Sequence, residues 1–90
     1  MFYTVYLLED QIDKGWYIGY TTNLEKRIEY HKTKQVISTR NKKDLKVIYC
    51  ECYLNELDAL GREKFLKSGA GRRFLKKQLK HYLSKKLNNT

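Results

Sequence analysis

Two short runs of strand-forming residues stand near the start of the chain, separated by seven residues: FYTVYLL at positions 2–8 and WYIGY at positions 16–20. Aromatic and β-branched side chains favour a pleated, half-buried surface. The polar link EDQIDKG is too short for the crossover that parallel strands need. The pair therefore predicts an antiparallel hairpin. A hairpin alone is marginal in water, so the rest of the chain must cover it.

Val47 to Leu54 (VIYCECYL) predicts a third strand, and helical patterns fill the remaining stretches. Thr22 and Glu25 make a T-x-x-E capping box, in which each side chain can satisfy the other's backbone N–H. A helix follows from about Asn23 to Thr33, with Leu24 and Ile28 turned inward. Lys34 to Lys46 reads as a polar, basic loop. Asn55 suits the N-cap of a second helix running to about Lys67. Ser68-Gly69-Ala70-Gly71 predicts a break, since glycine suits a left-handed C-cap. A third helix runs from about Arg72 to Leu87, with an apolar stripe of Phe74, Leu75, Leu79, Tyr82 and Leu83. The order ββαβαα predicts an α+β fold, a small three-stranded antiparallel sheet flanked by helices. Ninety residues suffice for a single domain spanning 1–90.

The charge is uneven. Residues 1–63 hold ten basic and ten acidic residues, whereas residues 64–90 hold nine basic and no acidic ones. The formal net charge of +9 therefore arises in the last third. A one-signed segment attracts polyanions, either nucleic acid or an anionic membrane surface, and is also compatible with a merely solvated tail. No apolar run spans a bilayer. MFYTVYLLEDQ lacks the basic start and small-residue cleavage site of a signal peptide, so the expected location is cytoplasmic. Cys50 and Cys52, two apart in a strand, read as reduced, half-buried residues; the two histidines add no zinc spacing.

Strand alternation puts Tyr6 on one side of the first strand and Tyr17 with Gly19 on one side of the second. A hairpin can bring these onto the same face, either as packed tyrosines or as two phenols beside a glycine that permits close approach. Arg27 and His31, four apart, share a helix face. They suit a surface pair, or a phosphate-binding fork beside a group that titrates near neutrality. Glu63 is the last acid, flanked on the helical wheel by Ala59, Leu60 and Leu66. Such an acid needs a cation: a neighbouring Lys or Arg, or Mg²⁺, which often takes only one or two protein carboxylates.

These residues together resemble the GIY-YIG nuclease superfamily. Val5-Tyr6 stands for the first motif, which reads TVY here, and Tyr17-Ile18-Gly19 for the second, with ten residues between the two tyrosines. T-x-N-L-E-x-R-x-x-x-H from Thr21 to His31 is similar to the family's first helix, and R-E-K-F-L-K from Arg62 to Lys67 to its glutamate helix. S-T-R at Ser38 to Arg40 and S-G-x-G-R-x-F-L-K-K from Ser68 to Lys77 resemble a small stand-alone bacterial branch, related to the N-terminal nuclease domain of the excision nuclease C subunit.

The resemblance implies a metal-dependent endonuclease that hydrolyses DNA phosphodiester bonds, in DNA repair or recombination. It implies catalytic roles for Tyr6, Tyr17, Arg27, His31 and Glu63, with Glu63 as ligand to Mg²⁺ or Mn²⁺. Tyr6, Tyr17 and His31 stand as rival bases. Gly19 and Arg40 are expected at the DNA, and Arg72, Arg73, Lys76, Lys77 and Lys80 as a basic helix for backbone phosphates. The expected partner is DNA, with no membrane and no small-molecule cofactor. The alternatives are a non-cleaving nucleic-acid-binding module of the same fold, and a basic amphipathic helix at a membrane surface.

Overall fold

The strand-forming runs pair as their alternation requires. In the computed structural model, which describes residues 1–37 and 44–88, the elements run β1 (Tyr3–Asp10), β2 (Trp16–Thr21), α1 (Leu24–Ile37), β3 (Leu45–Tyr53), α2 (Glu56–Leu66), α3 (Gly69–Gln78) and α4 (Lys80–Asn88). The sheet is antiparallel with β1 central, in the order β2-β1-β3. Tyr6 lies opposite Gly19 on one side and Cys50 on the other. A register irregularity between Leu7 and Leu8 follows that row.

The two faces divide the labour. Val5 and Leu7 point one way and are fully buried with Ala59, Leu66 and Leu75, so α2 and α3 cover that face. The other face carries Thr4 and Tyr6 and meets His31 of α1. At the rim, Glu51 of β3 accepts both prongs of the Arg62 guanidinium, at 2.9 and 3.0 Å, together with the hydroxyls of Tyr49 and Tyr53. Arg62 also lies between the rings of Phe65 and Phe74, at 5.2 and 4.5 Å from their centroids. This fork ties α2 to the sheet and to α3 beside Glu63.

Several local expectations change, beginning with the length of α1, which continues to Ile37 through the first residues of the loop expected over 34–46. The cap of α1 is Asn23, whose Oδ1 accepts the Lys26 N–H, in place of the Thr22–Glu25 box. Thr21 sets this up, because its hydroxyl accepts the Asn23 N–H and shifts the cap by one residue. The segment 68–71 starts a helix: Ser68 caps α3 by accepting the Gly71 N–H, and no described glycine has positive φ. The expected third helix is two, since the backbone turns at Leu79 (φ −103°, ψ 21°), giving the order ββαβααα. Beyond that turn the Tyr82 hydroxyl donates to buried Glu9 at 2.8 Å, and Trp16 Nε1 donates to the same carboxylate at 3.2 Å. Cys50 and Cys52 are free and exposed, more open than the half-buried reading allowed. Among the described residues no helix is long and apolar enough to cross a membrane.

Candidate active site

The missing side chain of Gly19 makes room for Tyr6. A Cβ on Gly19 would lie 2.3 Å from the Tyr6 hydroxyl oxygen and 2.4 Å from its Cζ, so the Tyr6 ring itself fills the space that sequence reasoning left to the substrate. Folded over β2, the Tyr6 hydroxyl lies 3.4 Å from His31 Nε2, and the two rings meet edge to face at 6.3 Å. The helical spacing of Arg27 and His31 then puts the Arg27 charge beside the same pair.

The electrostatics of this group follow from its burial. Burial raises the Tyr6 phenol above its ordinary 10.0; the Arg27 cation opposes this and the Glu63 carboxylate adds to it. Arg27 pulls the phenol downward, but desolvation outweighs it. Burial likewise holds His31 below its ordinary 6.5, and Arg27 lowers it further. At neutral pH the pair is therefore a protonated phenol facing a neutral imidazole, with Nε2 able to accept once the ring proton sits on Nδ1.

Glu63, on α2, acts on this group through its charge. Its side chain is 19% exposed, and Oε2 pairs with Lys67 Nζ at 3.0 Å, one helical turn on. Sequence reasoning named no single partner, although the i,i+4 spacing pointed to Lys67. The Lys67 side chain is 55% exposed, so the pair is weak and open to exchange. Glu63 Oε1 makes no hydrogen bond among the described residues. No group of three or more His, Cys, Asp or Glu side chains able to hold a metal exists among those residues. A closed zinc-type cage is thus not what the donors suit. One carboxylate suits Mg²⁺ or Mn²⁺, whose remaining shell is water and phosphate oxygen.

The structure brings Tyr6 and His31 into contact, with the charges of Arg27 and Glu63 near enough to act on the Tyr6 phenol. Tyr17 lies opposite Leu8, and its hydroxyl sits beside the hairpin turn, 3.6 Å from where a Cβ on Gly15 would be. Arg72, Arg73, Lys76, Lys77 and Lys80 are exposed on α3 and the start of α4, with the Arg72 guanidinium 5.1 Å from the Trp16 ring centroid. Arg40 falls outside the described residues. Sequence reasoning passed over Tyr30, a half-exposed ring whose edge-to-face contact with His31 spans 6.0 Å; its place three residues after Arg27 was the available signal.

The family profile of the GIY-YIG catalytic domain matches residues 2–86. The chain belongs to the GIY-YIG family. It is 36% identical to a UPF0213 protein of Oceanobacillus iheyensis over 64 residues, covering 70% of this chain and 73% of that one. It is 38% identical to a UPF0213 protein of Clostridium perfringens over 64 residues, covering 70% and 68%. The solution structure of a UPF0213 protein from Bacillus halodurans superposes with a TM-score of 0.53 at 29% identity, covering 83% of this chain and 82% of that chain. The GIY-YIG domain is a nuclease domain.

Proposed function

We propose that this GIY-YIG protein is a DNA endonuclease that hydrolyses phosphodiester bonds with the help of Mg²⁺ or Mn²⁺. The observation that carries the reading is the convergence on one phenol: Tyr6 contacts His31 and feels the charges of both Arg27 and Glu63. Arg27 grips the phosphate and offsets its charge. Tyr6 positions the attacking water. As the water attacks phosphorus, its proton passes to the Tyr6 oxygen and the Tyr6 proton passes to neutral His31 Nε2, so no free phenolate is needed. Glu63 would hold the cation, exchanging Lys67 for it. The bound cation supplies Lewis-acid stabilisation at the phosphate and the leaving oxygen. The resemblance to a small stand-alone branch related to the N-terminal domain of the excision nuclease C subunit supports a role in DNA repair or recombination.

Glu63→Gln tests the reading because it keeps size and removes charge. Cleavage should vanish, since a hard cation prefers carboxylate to amide oxygen. Metal-free DNA binding should hold or tighten slightly, because one repulsive charge is gone. If Glu63 serves only as the partner of Lys67, the variant instead melts lower and its folded fraction still cuts. Melting temperature, affinity in EDTA and Mg²⁺-dependent cleavage on one preparation separate the two outcomes.

A further inference from the structure

One stripe of α1 carries more than the catalytic arginine. Asn23, Lys26, Arg27 and Tyr30 recur at helical spacing and, with Thr21, line a shallow open depression of about 300 Å³. That volume lies at the low end for ligand sites and suits one small planar unit. Its polar corner is occupied internally: the Thr21 hydroxyl holds the Asn23 N–H, and Asn23 Oδ1 holds the Lys26 N–H. Two cations, Lys26 and Arg27, and the Tyr30 ring also line the depression. Lys26 and Arg27 make no ion pair among the described residues. Tyr30 is 52% exposed, its ring 6.0 Å from the Arg27 guanidinium and 6.0 Å from the His31 ring.

Cations beside an exposed ring suit an anion that carries a planar aromatic group, which is a nucleotide. The adjoining depression on α1, lined by Glu25, Lys26, Ile28 and Glu29, sets two carboxylates against one cation and has no aromatic ring. In a duplex the faces of the bases are covered by their neighbours; a side-chain ring reaches a base face only where that base is unpaired and unstacked. We infer that the Thr21–Tyr30 depression is a subsite for an unpaired nucleotide next to the phosphate held by Arg27, with Tyr30 stacking the base and Lys26 holding that nucleotide's own phosphate. The inference rests on the reading of Arg27 as the phosphate-binding residue. It selects DNA with an unpaired nucleotide at the cut, such as a single strand, a flap or a branch, over intact duplex.

The test is binding in EDTA, where cleavage plays no part. A labelled single-stranded oligonucleotide and a blunt duplex of the same sequence are titrated with the wild type, Tyr30→Leu, Tyr30→Phe and Lys26→Gln. Stacking on one aromatic ring predicts a single-strand affinity about 5- to 150-fold lower in Tyr30→Leu. Tyr30→Phe should restore it, and duplex affinity should stay unchanged in both. A 2-aminopurine base in the single strand should change fluorescence on binding to wild type and to Tyr30→Phe, but not to Tyr30→Leu. Lys26→Gln should weaken both substrates and leave the fluorescence response intact. Unchanged single-strand binding in a folded Tyr30→Leu would overturn the subsite, and so would an equal loss on single strand and duplex. Failure of the nuclease reading looks different: no cutting of any DNA with Mg²⁺, while single-strand discrimination in EDTA persists.

Discussion

At Gly19 a single hydrogen atom decides where the Tyr6 ring lies. A Cβ there would overlap the Tyr6 hydroxyl and Cζ, and Tyr6 is 5% exposed with little room to retreat. Gly19→Ala should therefore cost about 1–3 kcal/mol, the range for forcing atoms into a packed site. It should also move Tyr6 away from His31 and reduce cleavage more than the fraction of folded protein falls. Thermal melts paired with cleavage rates check this. The histidine makes a separate prediction. Because burial and Arg27 hold it below 6.5, His31 stays neutral down to a lower pH than a free histidine. The acid limb of cleavage should lie below pH 6.5. The neutral form is favoured by folding, so the contribution of His31 to stability is full above about 6.5 and is lost as pH falls through that value toward the folded pKa. A proton NMR titration of the His31 ring reads this directly. In Arg27→Gln the value should rise, yet remain below 6.5, since burial is the larger cause. The sequence carried the identities of these residues through the motif spacing. It did not carry the sign of the Tyr6 shift, because that depends on how deeply the ring is buried.

Among the elements, α2 and α3 show where local signals mislead. Ser-Gly-Ala-Gly reads as a helix stop, and a stop does fall there, but the glycines serve the next helix. A Cβ on Gly71 would lie 2.0 Å from the Phe65 carbonyl oxygen and 2.5 Å from the Leu66 Cα, so the start of α3 rests directly on the end of α2. The obstacle is backbone, which cannot rotate aside. Gly71→Ala must therefore separate the two helices, and should cost more than about 3 kcal/mol, beyond ordinary overpacking. Ser68→Ala, which removes the cap bond to the Gly71 N–H and the hydroxyl's own donation to the Phe65 carbonyl, should cost about 1–2 kcal/mol. Denaturant melts of both variants give the comparison; equal losses would mean that the close packing matters less than the cap. Strand positions were legible because alternation is local, and so was the Asn55 cap, whose Oδ1 accepts the Leu57 N–H. The Leu79 turn was not, since the apolar stripe passes through it unbroken. Nor was the Arg62–Glu51 fork, which joins residues eleven apart on different elements.

Across the whole molecule, the basic excess and the proposed reacting groups fall in different parts of the chain. The groups around Tyr6 come from β1, α1 and α2, whereas the basic excess lies in residues 64–90. If the basic surface of α3 supplies long-range attraction and the Tyr6 group supplies the reaction, the two can be altered separately. Arg73, Lys76 and Lys77 are all exposed. Arg72 is a poorer choice for the test, because its guanidinium lies over the Trp16 ring and its removal would also disturb packing. The triple variant Arg73→Gln, Lys76→Gln, Lys77→Gln should keep the wild-type melting temperature to within a few degrees. Its DNA affinity should fall and depend less on salt: for every phosphate that is no longer neutralised, the slope of log affinity against log salt flattens by about 0.9 on duplex, or about 0.7 on a single strand. Because the reacting groups are untouched, KM should rise while kcat holds. Affinity titrations at several salt concentrations, with cleavage kinetics on the same preparation, measure both effects. An unchanged slope would place the DNA on another surface, and a fall in kcat at saturating DNA would mean that α3 also aligns the substrate for the reaction.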